Sequence, residues 1–369
     1  MSRFEHAVGV GYLAALNADA CGIDQSSSTG RALLVAALIH DTATAPFGHT
    51  IERVLTPIGF THANVLKALQ NEYRAVSEEP YFAGAPPRLA AVVGQDTLAI
   101  ALDAVLGLPP LGPVIANDLD LDNIDNVIRG AMHLGLGAAG ELAMALAKAQ
   151  RILDGEAAIT GDGADLIPQW QKRRADLYDL LFESPEQVAT EAMIFDAARR
   201  MVGAGSLTLA DWRLTDHELI ERFERDSDPR VNRVGREIRL GRTFQVVHQF
   251  VAYSVRRSEV PTDEAFDEAV RTWRDDYSDC DLVYLKHDFG QSRRSITRLT
   301  EDGERRLGFG KSSNKVTVTV LTRRSDPHRR RVRRERHSIA RVLSETLKAH
   351  VEEAPDHSAQ IPSALTLWQ

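Results

Sequence analysis

Four residues in the first third of the chain carry side chains of the kinds that bind metal ions. They are His6, the adjacent pair His40-Asp41, and Asp122. Imidazole nitrogens and carboxylate oxygens together suit a borderline divalent cation such as Mn, Fe, Zn, Ni or Co. A polar pair at the end of an otherwise apolar helix is costly to bury without a partner, and a metal is one such partner. The alternative is that His40 and Asp41 merely end a helix and begin a turn.

The segments that carry these residues are predicted to be helices. Apolar residues recur at helical spacing from Phe4 to about Asp19, which places His6 on a first helix. The stretch RALLVAALIH is apolar on nearly every face, so it predicts a deeply buried second helix that ends at His40-Asp41. Further helical patterns cover about 62–76, 88–106, 119–134, 138–153, 165–182, 185–203, 215–225 and 229–250.

The pattern changes after about Asp279. The segments LVYLKHDF, RSITRLT and KVTVTVLTRR alternate or are rich in β-branched residues, which is typical of strands. A closing helix is predicted near 337–352. We therefore predict a mainly α protein with a small α+β C-terminal appendage. Its parts would be a helical domain over 1–250, a basic, β-containing appendage over 251–354 and a tail over 355–369.

Composition excludes several classes of protein. The 369 residues are 43% hydrophobic, and their net charge of −8 argues against wholesale coating of nucleic acid. Two distant cysteines, Cys21 and Cys280, cannot build a disulfide framework or a four-thiolate zinc site. No stretch has the long apolar run of a signal peptide or a membrane span. We expect a cytoplasmic protein without membrane contact, assembled as a homo-oligomer.

Three blocks of sequence resemble one enzyme family. They are SRFEHAVGVGYLA, LIHDTATAPFGH and LDLDNIDNVIRGAMHLGL. Together they resemble the HD-domain metal-dependent phosphohydrolases, and most of all the deoxynucleoside triphosphate triphosphohydrolase branch. Weaker likeness continues to about residue 250. The resemblance implies an HD-domain helical fold and assigns a divalent metal ion (Mn, Fe, Zn, Ni, Co or Mg) to His6, His40, Asp41 and Asp122.

The resemblance also implies roles beyond the metal. His62 matches the histidine that transfers a proton near the scissile phosphate, and His49 matches a second active-site histidine. Glu52 stands where the family often has an acid that orients a histidine, and such a carboxylate holds the imidazole tautomer. Arg3 matches an arginine that contacts substrate phosphate. The alternative is that both histidines are loop or helix-cap residues and that Arg3 lies in a frayed terminus.

The helix predicted to carry Asp122 has an acidic face. Asp118, Asp122, Asp125 and Arg129 recur at i, i+4, i+7 and i+11, which puts them on one side. Three carboxylates would repel one another unless a cation or Arg129 neutralised them. We assign Asp122 to the metal on the strength of the resemblance and interpret Asp125–Arg129 as a structural ion pair.

The sequence departs from the resembled branch in five places. The family's HDxGH histidine is replaced by Thr44, which removes a basic group near the phosphates. After Asp122, the Lys or Arg, the Tyr and the Asp that contact phosphate and sugar are replaced by Asn123, Asn126 and Gly130. We keep Asn126 as a candidate substrate-binding residue. The chain begins at the first motif, where relatives usually carry a leading segment, so we expect a late start codon or a shortened form.

An arginine-rich run spans residues 323–336 (RRSDPHRRRVRRER). Its eight arginines against two acids give a local charge of +6 and leave −14 on the rest of the chain. Such a run attracts phosphate backbones, so Arg329, Arg330 and Arg331 are candidate nucleic-acid contacts. The alternatives are a solvated loop or a contact between subunits.

The leading functional hypothesis is a metal-dependent phosphohydrolase that acts on a nucleotide, at a dNTP- or NTP-type phosphoester or phosphoanhydride. One alternative is an HD nuclease or phosphodiesterase that acts on nucleic acid or a cyclic nucleotide. The other is a non-catalytic module that senses nucleotides, although a pure sensor does not need all four metal ligands.

Overall fold

The structure is a computed structural model. It describes residues 2–62, 64–65, 85–253, 255, 257–275, 277, 282–288, 294–300, 303–309 and 315–354. The chain divides into two compact units, each discontinuous in sequence. The first unit comprises Met1–Leu180, Thr208–Thr215 and Arg293–Gly310, and the second comprises Leu181–Leu207, Asp216–Ser292 and Lys311–Gln369. The predicted tail over 355–369 and most of the predicted helix over 62–76 lie outside the described residues.

Helices dominate the described part of the chain, and the predicted mainly α class is confirmed there. In chain order they are α1 (Arg3–Ala20), α2 (Ser28–Ile39), α3 (His49–Leu55), α4 (Ala85–Val93), α5 (Gln95–Val105), α6 (Gly112–Ile115), α7 (Leu121–His133), α8 (Gly140–Ala149), α9 (Gly161–Glu183), α10 (Pro185–Gly203), α11 (Asp216–Arg225), α12 (Pro229–Arg239), α13 (Asp263–Asp275), α14 (Arg329–Arg334) and α15 (Arg336–Leu347). Short 3-10 turns cover Thr56–Ile58, Leu209–Arg213 and Arg257–Glu259.

Two four-stranded sheets accompany the helices, one in each unit. The strands are β1 (Gln150–Leu153), β2 (Glu156–Thr160), β3 (Gln245–Ala252), β4 (Leu282–Asp288), β5 (Arg294–Thr300), β6 (Gly303–Phe309), β7 (Val316–Thr322) and β8 (Val351–Glu353). The first unit holds the order β1-β2-β5-β6, in which β2 and β5 run parallel. The second unit holds the antiparallel order β4-β7-β3-β8.

The core of the first unit forms where α1 packs against α2, α7 and α8. Small and branched residues, among them Val10, Ala14 and Ala36, are fully buried along these contacts. Short side chains let the helix axes approach closely, so polar groups at the helix ends are drawn together. This close packing positions His6, which lies on α1 between α2 and α7.

The second unit builds its core on β7, which is buried along its whole length. Val318 pairs with Phe250 of β3, and both belong to an apolar cluster with Phe266 of α13 and Ile339 and Leu343 of α15. The predicted strands LVYLKHDF and KVTVTVLTRR are present in this unit as β4 and β7, and the predicted strand RSITRLT is present as β5 in the first unit. The predicted closing helix is α15, which ends at Leu347, before the short strand β8.

Two sequence predictions about element type were wrong. The helix predicted over 138–153 ends at Ala149, and residues 150–160 form the hairpin β1–β2. Its turn is Asp154-Gly155, with φ of +50° and +80°, and an Asp-Gly dipeptide is a typical signal for such a turn. The helix predicted over 229–250 ends at Arg239, and β3 begins at Gln245. Gly241, with a φ of +65°, ends the helical segment because it adopts a left-handed conformation.

One further helix differs from its prediction by a smaller change. The pattern over 88–106 is divided into α4 and α5 at Gly94, which has a φ of +88°.

The domain boundary predicted at residue 250 does not coincide with the boundaries of the two compact units, because α10 to α12 belong to the second unit. The hairpin β5–β6, predicted as part of the appendage, belongs to the first unit. In the described part of the chain, no helix has the length and apolarity needed to cross a bilayer.

Candidate metal centre

Three helices of the first unit bring the four predicted metal ligands together. His6 lies in the second turn of α1, which Ser2 caps by accepting a hydrogen bond from the Glu5 amide at 3.1 Å. His40 follows the last residue of α2 as its C-cap. Asp122 lies in the first turn of α7, where the helix dipole favours a carboxylate. Asp120 caps that helix by accepting from the Asn123 amide at 2.6 Å.

The ligand atoms converge on one point. The Nε2 atoms of His6 and His40 are 3.2 Å apart. Asp122 Oδ1 lies 2.9 Å from His6 Nε2 and 3.6 Å from His40 Nε2. Asp41 Oδ2 lies 4.0 Å and 3.9 Å from the same two nitrogens. Two imidazole nitrogens and two carboxylates thus surround a single small volume.

The cluster has a closed side and an open side. His6 and His40 are buried, with about 5% of each side chain exposed, whereas Asp41 and Asp122 are each about a third exposed. A structural metal site is closed on all sides, and a catalytic one keeps a position open for water or substrate. The unequal exposure of the four residues is typical of the catalytic kind.

Hydrogen bonds fix which nitrogen of each histidine faces the cluster. His40 Nδ1 donates to the Ala37 carbonyl oxygen at 2.7 Å, which leaves the lone pair of Nε2 free. His6 Nδ1 lies 2.8 Å from Asp125 Oδ2 and donates to it. Both Nε2 atoms therefore face the same space. Their lone pairs would repel one another unless His6 Nε2 carries a proton, which it would donate to Asp122 Oδ1 at 2.9 Å, or a metal cation lies between them. The donor set fits a divalent metal ion.

The charges in the cluster also favour a cation. Burial lowers the pKa of His6, but hydrogen bonds with Asp122 and Asp125 outweigh burial and raise this pKa to about 9. Burial opposes ionisation of Asp122, yet contacts with His40 and His6 hold its pKa well below the usual range. The site is therefore built to keep carboxylates ionised beside imidazoles.

A second layer of residues orients His6. Asp125, which is 5% exposed, binds Arg129 through two hydrogen bonds of 2.8 and 2.7 Å. Arg129 and His133 in turn contact Glu5 Oε1 at 3.4 and 2.8 Å. The sequence predicted the Asp125–Arg129 ion pair but missed its role as the support of His6. The spacing of Asp125 and Arg129 gives no sign that His6 lies beside them.

The loop after α2 is fastened to the cluster. Thr44 Oγ1 donates to Asp41 Oδ1 at 3.1 Å, so the residue that replaces the family histidine positions the carboxylate. Arg3 donates to the carbonyl oxygens of Thr44 and Ala45 at 2.8 and 2.6 Å. The guanidinium of Arg3 thereby ties the start of α1 to this loop. Its contact with substrate phosphate remains a prediction.

Glu52 links the two candidate catalytic histidines. Its Oε2 lies 3.0 Å from His49 Nδ1, and its Oε1 accepts a hydrogen bond from the His62 amide at 3.1 Å. Glu52 raises the pKa of His49, and the carboxylates of Asp41 and Asp122 add to this effect. The His49 imidazole is 97% exposed, so solvent and substrate can reach it. The structure thus places a His49–Glu52 pair within electrostatic reach of the cluster, and the Glu52 carboxylate orients the His49 imidazole.

Asn126 and Gly130 follow Asp122 along α7. Asn126 is partly buried and lies one turn beyond Asp122. A Cβ atom at Gly130 would lie 3.2 Å from Leu177 Cδ2, so the glycine allows α9 to pack closely on α7. The structure thus gives Gly130 a packing role, which a larger side chain would disturb.

Comparison with known proteins agrees with this geometry. Residues 3–76 match the HD domain family. The matched segment includes His6, His40 and Asp41, together with His49, Glu52 and His62. No curated protein matches the chain.

A solved structure shares the fold. It is the crystal structure of a phosphohydrolase from Bacteroides thetaiotaomicron, with a TM-score of 0.58, 16% sequence identity and coverage of 87% of each chain. The likeness therefore extends well beyond residues 3–76 and into the second unit.

Proposed function

We propose that this protein is a metal-dependent phosphohydrolase that acts on a nucleotide. One observation carries the proposal: two buried histidines, each with its Nδ1 atom engaged, direct their Nε2 atoms to within 3.2 Å of each other beside two partly exposed carboxylates. The HD domain match and the fold shared with a phosphohydrolase support it. The substrate class rests on the sequence resemblance.

His6, His40, Asp41 and Asp122 would hold the metal. A divalent cation bound there would polarise a phosphoryl oxygen and acidify a water molecule. The chain's own contribution is to orient the ligands, because Ala37 and Asp125 fix the two imidazole tautomers. A ligand held in one orientation binds its metal without first losing conformational freedom.

Proton transfer falls to the residues beside the cluster. The exposed His49 Nε2 is free to donate or accept a proton while Glu52 holds Nδ1. His62 is held beside Glu52 by the hydrogen bond that its backbone amide donates to Glu52 Oε1. A histidine whose pKa lies near neutrality can exchange a proton with a leaving group at cellular pH. Arg3 would contact a substrate phosphate through its guanidinium group.

Metal content and activity together test the proposal. The variants His40→Ala and Asp41→Asn each remove a ligand while leaving the apolar body of α2 intact. We expect loss of bound metal, measured by elemental analysis, and loss of phosphatase activity, with an unchanged circular dichroism spectrum. His217→Ala is the control, because this histidine is 71% exposed and lies in the second unit. Full metal occupancy in both variants would contradict the ligand assignment.

A substrate screen separates the alternatives. Metal-loaded protein is assayed against dNTPs, NTPs, cyclic nucleotides, and single-stranded DNA and RNA. Release of phosphate or polyphosphate from a nucleotide supports the proposal. Cleavage of polymers or cyclic nucleotides alone would favour the nuclease or phosphodiesterase hypothesis. Tight nucleotide binding with a full metal site and no turnover would favour a sensor.

A further inference from the structure

The second unit contains a cavity of about 990 Å³ that the proposed reaction does not use. It is bounded by the start of α10, the segment from the end of α12 into β3, and the arginine-rich run after β7. Every residue that lines it belongs to the second unit, and none is a candidate metal ligand. The buried side chains of Val188 and Phe244 form an apolar part of its wall.

Arginines dominate the charge of this cavity. Its wall includes five of them: Arg242, Arg323, Arg324, Arg329 and Arg333. Arg323 is neutralised by Glu237 at 3.3 Å. Among the residues that the structure describes, none of the other four arginines forms an ion pair.

Two further acids line the wall and reduce its positive charge only in part. Glu353 lies 2.7 Å from His248 and 3.7 Å from Arg336, so it already has cationic partners. Glu186 accepts from the Ser184 hydroxyl at 3.4 Å. Four arginines against these two carboxylates leave the cavity positively charged.

Arg329 shows that the arginines crowd one another. Its Nε atom is buried and has no hydrogen-bond partner within the described part of the chain. Burial, together with the charges of Arg333 and Arg324, lowers the pKa of Arg329. A buried donor without an acceptor is unfavourable for the stability of the fold. A phosphate group offers several charged oxygens and would satisfy such donors, since guanidinium groups bind it in pairs of parallel hydrogen bonds.

The arginine-rich run does not present one continuous basic face. Val332 is fully buried, which fixes the rotation of α14. Arg329 and Arg333, four residues apart, share the face that lines the cavity. Arg331 instead stacks on the Tyr277 ring, with its guanidinium carbon 4.8 Å from the ring centre, and Arg330 is exposed and does not line the cavity. This arrangement favours a compact ligand over an extended polymer.

We propose that this cavity binds a small anion that bears two or more phosphate groups. A single phosphate would engage only part of a wall of this size, whereas a chain of phosphates reaches several arginines. The apolar surface of Val188 and Phe244 leaves room for an organic group beside the phosphates. The site is separate from the metal centre, so it can be occupied whether or not the proposed reaction takes place.

Isothermal titration calorimetry on the full-length protein tests the proposal. EDTA is present to prevent turnover, and the probes are inorganic triphosphate, ATP and adenosine. The test variant is Arg329→Gln/Arg333→Gln, and the control is Arg330→Gln/Arg334→Gln. The two pairs change the same charge at the same spacing on α14, but only the first lines the cavity. Arg324→Gln, in the loop before the helix, is a second test that leaves α14 intact.

We expect triphosphate or ATP to bind and adenosine not to bind. The cavity pair should weaken binding at least tenfold, and the control pair should change it less than twofold. Tighter binding of ATP than of triphosphate would identify an organic polyphosphate, and equal binding would identify the polyphosphate itself. Absence of binding would overturn the proposal. So would equal losses from both pairs, because this result indicates a contact with the exposed surface of α14 and not with the cavity.

Discussion

Gly9 is the most informative position for testing how the metal centre is supported. It is buried on α1, and a Cβ atom there would lie 2.8 Å from Arg129 Cζ and closer still to the Asp125 carboxylate and an Arg129 nitrogen. The substitution Gly9→Ala therefore forces the Asp125–Arg129 pair to move. Since Asp125 holds His6 Nδ1, the imidazole of His6 would lose its orientation.

The loss of stability caused by Gly9→Ala can be measured against a matched control on the same helix, Gly11→Ala. At Gly11 a Cβ atom would meet the side chain of Leu38, with Cδ2 at 3.0 Å and Cγ at 3.4 Å, and this side chain is 49% exposed. Both substitutions gain about 1 kcal/mol of helix propensity, so this contribution cancels between them. Overpacking at Gly9 costs about 1–3 kcal/mol. We expect Gly9→Ala to be less stable than Gly11→Ala by this amount in urea denaturation.

Metal affinity supplies the second measurement. Loss of a supporting hydrogen bond to a metal-binding histidine weakens binding by about 10–100-fold. We expect such a loss for Gly9→Ala and little change for Gly11→Ala when either is titrated with Mn²⁺ or Zn²⁺. If Gly9→Ala matched Gly11→Ala in both stability and metal affinity, the Asp125–Arg129 pair could not lie against α1 as described.

Three further predictions concern the same unit. Asp125→Asn should weaken metal binding by about 10–100-fold without abolishing it, because the variant removes the negative charge beside His6 Nδ1 but keeps a hydrogen-bond acceptor there. Unchanged metal affinity in a titration would contradict this. Glu52→Gln should lower the pKa of His49, since Glu52 raises it, and so move the limb of the kcat/KM profile that depends on His49 to lower pH. An unmoved limb would exclude His49 as the titrating group. Lastly, a pocket with Asn126 and without a sugar-reading aspartate should discriminate poorly between matched dNTPs and NTPs, and a preference above about a hundredfold in kcat/KM would contradict this.

Residues close together in sequence were predicted well, because local spacing determines helix formation. The helix predicted over 185–203 matches α10, and the helix around Asp122 begins and ends within two residues of its prediction. Strands were missed where they follow a helix within a few residues. Their apolar residues extended the helical pattern, and only the turn residues Gly241 and Asp154-Gly155 marked the change.

The supporting contacts of the candidate site could not be predicted from spacing. His6 and Asp125 are separated by 119 residues, and their contact depends on the packing of α1 against α7. The hydrogen bond from Thr44 to Asp41 could not be predicted either, because the family pattern expects a histidine at the position of Thr44. The convergence of His6, His40 and Asp122 was anticipated only through the resemblance of three separate blocks to one family.

The parallel pairing of β2 with β5 has a consequence for synthesis of the chain. Ala158 pairs with Thr297, so the sheet of the first unit joins segments about 140 residues apart. At roughly 5–20 residues per second, a ribosome needs on the order of 10–30 s to deliver the second segment after the first. During this interval the edge of β2 that later binds β5 has no partner and can pair with another nascent chain. A polypeptide truncated before Arg294 would keep that edge permanently, and it should aggregate even though every candidate metal ligand is present.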